Sequence, residues 1–175
     1  MRLQPGQRAP LFTMQDISGG IVNLGDLKGK KVLLSMFRYA SCPFCNLRLF
    51  ELSQHYKEWQ NRGLVMIGVF ESPSESISKY LGESKPPFPI IPDPELKLHR
   101  LYCAESSWLR FLLSAPLLLR PILKGFLPGR MEGDKAILPA DFLIDRRGVI
   151  STAFYGGHLG DHINISKIES FLEES

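Results

Sequence analysis

The 175-residue sequence is short of cysteine, has little excess charge and contains no long apolar run. Its three cysteines are an odd number, which argues against a framework of structural disulfides. Its 21 basic and 18 acidic side chains leave a formal charge of +3, too small a surplus to predict nucleic-acid binding. The longest apolar stretch, residues 111–119, is interrupted by Ser114 and Pro116. It is far shorter than the roughly 20 residues of a membrane-spanning helix.

The amino terminus, MRLQPGQRAP, carries no apolar segment of the kind that directs secretion. We therefore expect a cytoplasmic protein with no nucleic-acid partner. Hydrophobic residues make up 44% of the chain and charged residues 22%, which is ordinary for a globular protein. The length suits a single domain over residues 1–175 that buries its own core without disulfides.

Hydrophobic periodicity in the first half predicts a strand–helix–strand unit. Residues 10–27 contain two short extended segments around Ser-Gly-Gly, which indicates a hairpin. The apolar runs at 31–37 and 64–70 have the length of buried strands. The stretch between them, 43–62, has apolar residues at helical spacing, with proline at its start and glycine just after its end. These elements predict one right-handed βαβ unit.

The second half predicts shorter elements and ends in an antiparallel hairpin. In chain order we expect a helix at 74–81, a strand at 88–91, a helix at 95–102, strands at 140–144 and 149–155, and a last helix capped by Asn164. Parallel strands followed by an antiparallel hairpin predict an α/β fold with a mixed central sheet and helices on both faces.

Two of the cysteines form a Cys-x-x-Cys motif, Cys42-Pro43-Phe44-Cys45, between a predicted strand and a helix start. Free N–H groups at a helix N-terminus stabilise a thiolate, which is the reactive form of cysteine. We expect Cys42 to be the more acidic and more exposed thiol, and Cys45 to resolve a mixed disulfide. Arg38 either adds positive potential beside the pair or points into solvent.

The same cysteines have two other interpretations, a soft-metal site for copper or zinc and an inert buried pair. A zinc site takes about four ligands. The sequence offers few candidates for the remaining positions, namely Cys103, His55, His99, His158 and His162. None of them forms a second tight pair with zinc-ribbon spacing. The position of the motif in a βαβ unit favours redox chemistry, and we predict no metal site.

Leu138 and Pro139 precede the predicted strand at 140–144. Proline is compatible with the first residue of a strand, which would make this an ordinary strand entry. The alternative is a cis proline that faces the cysteine pair, since only X–Pro bonds adopt the cis form at low cost. The residues alone leave both alternatives open.

Several blocks of this sequence carry a family resemblance: residues 9–13 (APLFT), 27–30 (LKGK), 37–45 (FRYASCPFC), 88–90 (FPI) and 138–145 (LPADFLID). Together they resemble the peroxiredoxin-like branch of the redoxin group, the AhpC/TSA and thioredoxin-like proteins, along nearly the whole chain. The resemblance implies a thioredoxin-like fold in which Cys42 attacks, Cys45 resolves and Pro139 is a cis proline that shapes the substrate groove. The residues expected to support this site are Arg38, Pro43, Phe44 and Leu138.

The resemblance also implies an antioxidant, thiol-dependent oxidoreductase that reduces disulfides or peroxides through a redox-active disulfide. We expect no cofactor beyond the cysteine pair, and an external thioredoxin-like or glutathione-type electron donor. Typical peroxiredoxins carry a proline seven residues and a threonine three residues before the attacking cysteine. Those positions hold Ser35 and Tyr39 in this sequence, so peroxide and disulfide substrates both stay open.

Residues 106–130 form an apolar insertion whose charged side chains are all basic. Pro116 and Pro121 predict that the insertion breaks into short helical pieces. It could cover the core, form a homodimer contact or bind substrate, and we do not expect it to contact a membrane surface. The basic side chains are Arg110, Arg120, Lys124 and Arg130.

Two further features have a plain interpretation and a functional alternative. Cys103 is expected to be a free, buried thiol, with a regulatory or second resolving thiol as the alternative. The loop at 156–162 (GGHLGDH) contains His158 and His162 and is expected to be a flexible turn before the last helix. Its alternative is a loop that borders the active site.

Overall fold

The computed structural model describes residues 1–81 and 86–174. The strands in this part of the chain are β1 (Thr13–Gln15), β2 (Ile21–Asn23), β3 (Lys31–Phe37), β4 (Leu64–Phe70), β5 (Ile90–Pro92), β6 (Ala140–Ile144) and β7 (Ile150–Tyr155). The α-helices are α1 (Pro43–Asn61), α2 (Ser74–Leu81), α3 (Lys97–Leu101), α4 (Trp108–Leu113), α5 (Leu119–Leu123) and α6 (Ile165–Glu173). Short 3-10 helices cover Leu24–Leu27 and Ala115–Leu118.

The central sheet has five strands in the order β5-β4-β3-β6-β7. Strand β3 pairs with β4 in parallel and with β6 in antiparallel orientation, so it lies at the centre of the sheet. Strands β6 and β7 form the antiparallel hairpin that ends the sheet. The predicted mixed sheet and the predicted N-terminal hairpin, β1 with β2, are both confirmed.

Strand β3 contributes to two separate cores because its side chains alternate between the two faces of the sheet. Leu33 and Phe37 join the core that contains α1 and the cysteine pair. Leu34 and Met36 join the core on the opposite face. All seven residues of β3 are buried, as expected for a central strand that is covered on both sides.

Helix α1 begins where β3 has ended and runs back to the start of β4. Pro43 occupies the first turn, where its missing N–H is not needed by the helix. Gly63 follows the helix with a positive φ of 87°, a conformation that favours glycine. The predicted βαβ unit is therefore confirmed, and it places the Cys-x-x-Cys motif at the junction of the central strand with α1.

The remaining elements agree with the sequence patterns to within a few residues. Strand β5 begins at Ile90, two residues after the predicted start, and α3 covers Lys97–Leu101 of the predicted 95–102. Asn164 caps α6, because its side chain accepts a hydrogen bond from the backbone N–H of Ser166. None of the helices in the described ranges is long and apolar enough to cross a membrane.

The insertion at 106–130 folds as α4, a 3-10 helix and α5, which are short helical pieces as predicted. Pro116 lies at the start of the 3-10 helix, but Pro121 lies inside α5 and does not break it. Many of its large apolar side chains face outward, including Trp108, Leu109, Leu112, Leu113, Leu119 and Leu123. Its inner side packs on the core through Phe111 and Leu118. The homodimer contact expected through this segment stays a prediction.

The cis proline implied by the family resemblance is wrong for this structure. The peptide bond before Pro139 is trans, like every other peptide bond in the described residues. Pro139 is paired at the edge of β6, since its carbonyl accepts a hydrogen bond from the Gly156 N–H next to β7. Pro139 is thus an ordinary strand entry.

Candidate active site

The Cys-x-x-Cys motif sits at the N-terminus of α1, directly beyond the end of β3. Cys42 precedes the first helical residue, and its carbonyl accepts the first hydrogen bond of the helix from the Asn46 N–H. Cys45 lies one turn into the helix. Both residues have free thiols, and both are completely buried.

The expectation that Cys42 is exposed is therefore wrong. Its sulfur lies against the side chain of Arg38, which is itself only 1% exposed. The segment around residues 130–138 packs over the same region and binds that arginine through its backbone. The thiol pair consequently lies beneath a protein cover rather than at an open surface.

Arg38 points inward, so its alternative orientation into solvent is also wrong. Its Nη1 atom donates to Cys42 Sγ at 3.2 Å. Its Nε atom donates to the Ile137 carbonyl at 3.0 Å, and Nη2 donates to the Lys135 carbonyl. These two backbone contacts fix the plane of the guanidinium and leave its third nitrogen directed at the sulfur.

Aromatic rings contact the same guanidinium. The Arg38 Cζ atom lies 4.8 Å from the Tyr39 ring centroid and 5.8 Å from the Phe111 ring centroid. Both distances are within the range of a cation–π interaction. Phe111 belongs to α4, so the insertion contributes directly to the cover over the thiol pair.

The pKa values of the two thiols are shifted in opposite directions. Burial raises the pKa of Cys42, but the hydrogen bond from Cys45, the charge of Arg38 and the N–H groups of Cys45 and Phe44 outweigh it. The pKa of Cys42 is thereby lowered to about 6. Burial and the neighbouring Cys42 thiolate raise the pKa of Cys45. At neutral pH the arrangement holds a Cys42 thiolate beside a protonated Cys45 thiol.

The loop that covers the site is attached beside the cysteine motif and at α2. The Gly129 N–H donates to the Ser41 carbonyl, and the Ser41 hydroxyl donates to the Arg130 carbonyl. The Glu132 carboxylate accepts hydrogen bonds from the hydroxyls of Ser72 and Ser76. The sequence patterns did not indicate these contacts, because all of them join residues that are far apart in the chain.

Glu71 is a second titratable group close to Arg38. Its backbone N–H donates to the Arg38 carbonyl, and its carboxylate accepts a hydrogen bond from the Asp134 N–H. Its other oxygen, Oε2, is buried without a partner among the described residues. Burial raises the pKa of Glu71 to about 7, although the Asp134 N–H and the charge of His99 oppose the shift. Sequence reasoning did not single out this residue.

Two of the four histidines are held by buried carboxylates. His99 Nδ1 lies 2.8 Å from Asp93 Oδ2, and its Nε2 lies 2.9 Å from the Phe37 carbonyl oxygen. His162 Nδ1 lies 3.0 Å from Asp141 Oδ2. Both nitrogens of His99 are therefore already occupied, which removes it from the list of free metal ligands.

The loop at 156–162 contacts the cysteine motif through Phe44. Gly160 lies so close to the Phe44 ring that an added Cβ would come within 2.6 Å of Phe44 Cδ1. The side chain of His162 is 2% exposed, and its ring packs 5.3 Å from the Phe37 ring centroid. The expectation of a flexible turn is therefore wrong for His162, whose side chain is buried in the core.

The remaining predicted site residues, Leu138, Phe44 and Pro43, are all buried. Leu138 shares the buried cluster that contains Cys42 and Cys45, and Phe44 belongs to it as well. Pro43 is buried in the first turn of α1. Cys103 is only partly buried, contrary to expectation, and follows α3 with a positive φ of 57°.

The soft-metal interpretation finds no support in the structure. In residues 1–81 and 86–174, no three His, Cys, Asp or Glu side chains lie together in a way that could hold a metal ion. The cysteine pair has instead an arginine as its polar neighbour, and a cation is the wrong partner for a metal site.

Comparison with known proteins finds similar sequences along most of the chain. Residues 5–153 match the model of the AhpC/TSA family. The chain is 26% identical over 154 residues to the bcp protein of Helicobacter pylori strain J99, covering 88% of this chain and 89% of that one. It spans 60% of the length of two Mycobacterium tuberculosis relatives, to which it is 29% identical over 94 residues.

Solved structures show the same fold at low identity. The peroxidoxin BcpB of Mycobacterium tuberculosis superimposes with a TM-score of 0.70 at 14% identity, covering 98% of this chain and 96% of that one. A yeast mitochondrial 1-Cys peroxiredoxin, whose thiol is resolved via glutathione/thioredoxin systems, gives a TM-score of 0.69 at 19% identity, covering 95% and 73%. These similarities confirm the predicted thioredoxin-like fold.

Proposed function

Because the chain belongs to the AhpC/TSA family, we propose that it is a thiol-dependent oxidoreductase in which Cys42 attacks and Cys45 resolves. The observation that carries the proposal is the contact between Arg38 Nη1 and Cys42 Sγ at the N-terminus of α1. This contact stabilises a thiolate, and a thiolate is the form of cysteine that attacks disulfides and peroxides.

With a disulfide substrate, the Cys42 thiolate attacks one sulfur and the substrate S–S bond breaks. The other half of the substrate leaves as a thiolate, and Cys42 is held in a mixed disulfide. Cys45 then loses its proton and attacks Cys42 Sγ, which releases the second half of the substrate. The substrate gains two electrons and the protein is left with a Cys42–Cys45 disulfide.

A peroxide is the second candidate substrate, and the position of Arg38 favours it. Attack of the Cys42 thiolate on the protonated oxygen of a hydroperoxide breaks the O–O bond, and the other oxygen leaves as alkoxide or hydroxide and takes a proton from solvent to become alcohol or water. Cys42 becomes a sulfenic acid, and attack by the Cys45 thiol releases water and forms the same disulfide. A guanidinium beside the sulfur can stabilise the negative charge that develops on the leaving oxygen.

In either case an external dithiol of the thioredoxin or glutathione type would restore the two thiols at the cost of its own oxidation. The proposal needs no bound cofactor, because both electrons come from the cysteine pair. We place the reaction in the cytoplasm, where the free thiols of this chain would be kept reduced.

The deciding experiment follows thiol loss in the reduced protein after mixing with hydrogen peroxide and, separately, with hydroxyethyl disulfide. We expect two thiols per chain to disappear with at least one of the two substrates, and which reacts faster identifies the reaction. The Cys103→Ser variant is the matched control and should lose the same two thiols. Full activity in Cys42→Ser with either substrate would overturn the mechanism.

A further inference from the structure

The first helix of the insertion, α4, turns an apolar side to solvent. Successive residues of an α-helix are about 100° apart around its axis, so four residues of α4 share one arc of about 140°. All four are apolar and between 59% and 68% exposed, namely Trp108, Leu109, Leu112 and Leu113. The other side faces the protein, where Phe111 packs on the core and Ser114 is buried. A surface helix normally turns polar residues outward, and this arc carries no charged residue.

The exposed apolar surface continues along the rest of the insertion. Leu119, Leu123 and Leu127 are 62%, 77% and 71% exposed. Leu119 and Leu123 also belong to the wall of a groove between the insertion and α1. Single exposed apolar residues are normal on a protein surface, but a concentration of them in one segment indicates a site that contacts a protein or a membrane.

The charge of the same segment has one sign. The insertion contains no acidic residue and four basic ones, Arg110, Arg120, Lys124 and Arg130. In the described residues, ion pairs join these cations to only two carboxylates, since Arg110 contacts Glu105 while Arg120 and Lys124 share Glu51. Positive charge is therefore in excess, and an anionic partner complements this face.

Two considerations favour a lipid surface over a protein partner. A symmetric contact with a second copy of this chain would bring the same basic segment to both sides of the interface. Protein interfaces also contain about one hydrogen bond per 100–200 Å², and the exposed arc of α4 offers only the indole N–H of Trp108 as a side-chain donor. Hydrocarbon requires no hydrogen bonds, and tryptophan and leucine beside basic residues are typical of segments that lie in a membrane interface.

We propose that the insertion docks on the surface of a bilayer that contains anionic lipid. The apolar arc of α4 enters the headgroup region, and the long side chains of Arg120 and Lys124 extend to the lipid phosphates. The sequence did not predict this contact, because it does not show which side of the insertion faces solvent. Docking does not rest on the proposed redox function, since no thiol takes part in it.

The test is co-sedimentation of the full, reduced chain with phosphatidylcholine vesicles that contain or lack phosphatidylserine. We expect binding at least tenfold tighter when phosphatidylserine is present, and weaker binding at high salt, because salt screens the attraction between charges. Absence of binding to the phosphatidylserine vesicles, or equal binding to both kinds, would overturn the proposal. A dimer in vesicle-free solution that Leu109→Gln converts to a monomer would also overturn it, in favour of a second copy.

Matched variants locate the contact. Leu109→Gln makes the arc polar while keeping a good helix former, and it should weaken binding to phosphatidylserine vesicles at least fivefold. Leu11→Gln is the control, because Leu11 is 67% exposed against 68% for Leu109 but lies outside the insertion. Arg120→Gln should weaken binding several-fold, whereas Arg147→Gln, at another exposed arginine, should not. Equal affinity in Leu109→Gln and Leu11→Gln would exclude α4.

Tryptophan fluorescence reports the contact directly. The chain has two tryptophans, of which Trp108 is 59% exposed and Trp59 is completely buried. Phosphatidylserine vesicles should shift the emission to shorter wavelength, because the Trp108 ring leaves water. The Trp108→Phe variant should show no such shift. Unchanged emission from the native chain while it is bound to vesicles would mean that another surface makes the contact, and the proposal would fail.

Discussion

Arg38 and Cys42 are four residues apart, and the guanidinium Nη1 atom of the first lies 3.2 Å from the sulfur of the second. The turn that connects β3 to α1 separates them, and the arginine side chain extends from this turn to the N-terminus of α1. Because backbone carbonyls of Lys135 and Ile137 hold the guanidinium, its charge stays at the sulfur even though the site is buried. The acidity of Cys42 therefore depends on this contact.

Replacing Arg38 by Met should raise the pKa of Cys42 above its present value of about 6. One pKa unit corresponds to about a tenfold change in thiolate population at a pH below the pKa. We expect iodoacetamide modification of Cys42 to slow by about tenfold near pH 5, which lies below both midpoints, and by less near neutral pH, with the pH midpoint shifted upward. The measurement is the modification rate against pH, with peptide mass spectrometry to identify the cysteine.

Arg147→Met is the matched control for that experiment, since it removes an exposed guanidinium that pairs with Asp145 in its own turn. It should leave the midpoint unchanged. Arg38→Lys keeps the charge without the fixed fork and should give an intermediate midpoint. A midpoint in Arg38→Met equal to that of the unmodified chain would show that the Cys45 thiol and the helix N-terminus set the acidity without Arg38.

Replacing Cys45 by Ser should trap the mixed disulfide between Cys42 and a small disulfide substrate. The serine hydroxyl cannot displace the bound thiol, so the intermediate accumulates instead of resolving. Intact-mass measurement should show close to one adduct per chain, at Cys42. Cys103→Ser should show no lasting adduct, because both members of the pair remain. Rapid loss of the adduct in Cys45→Ser would mean that another thiol resolves it.

Glu71→Gln should flatten the pH dependence of stability. The folded pKa of Glu71, about 7, lies above the unfolded value of about 4.5, so the protonated form is favoured by folding. Its contribution is complete below about pH 4.5 and is lost as the pH rises through about 7. Urea unfolding at pH values across this range should show a smaller decline in the free energy of unfolding for the variant than for the native chain.

That measurement belongs in a Cys42→Ser background, because Cys42 acts in the opposite direction. Its folded pKa is lowered to about 6, so its contribution is present above the unfolded pKa, about 9, and is lost as the pH falls through about 6. Glu75→Gln is a suitable control in an exposed position on α2. An equal pH slope in the Glu71 and Glu75 variants would contradict the assignment.

Phe111→Ala should make Cys42 react faster with small electrophiles. The Phe111 ring lies over the Arg38 guanidinium and belongs to the cover of the site, so removing it opens a path to the sulfur. We expect a several-fold increase in modification rate near neutral pH, with little change in the pH midpoint. Leu112→Ala, in the same helix but 66% exposed, is the matched control. An unchanged rate in Phe111→Ala would show that the cover opens elsewhere.

The parts of the fold that the sequence predicts are those with strong local patterns. The strands at 31–37 and 64–70 and the helix between them follow from apolar periodicity, with Pro43 and Gly63 marking the helix ends. The thiol pair follows from its spacing and from its position after a buried strand. These features depend on residues that are neighbours in the chain, which is why sequence patterns identify them.

The features that the sequence did not predict depend on contacts between distant residues. His162 is held by Asp141, and Glu71 accepts a hydrogen bond from the Asp134 N–H. The members of each pair are too far apart in the sequence for a local pattern to predict their contact. The burial of Cys42 follows from the loop that packs over Arg38, not from the motif itself. The trans bond before Pro139 decides between the two alternatives that the residues left open, against the one that the family resemblance implied.

The chemistry and the access route are carried by separate stretches of the chain. The strand–turn–helix at 31–61 holds the two sulfurs and the arginine, while the insertion at 106–130 supplies Phe111 above them and a wall of the neighbouring groove. An engineer could therefore exchange the insertion to admit a different molecule without rebuilding the nucleophile. By the same logic, selection for a new substrate could act on one segment while the other goes on performing its original reaction.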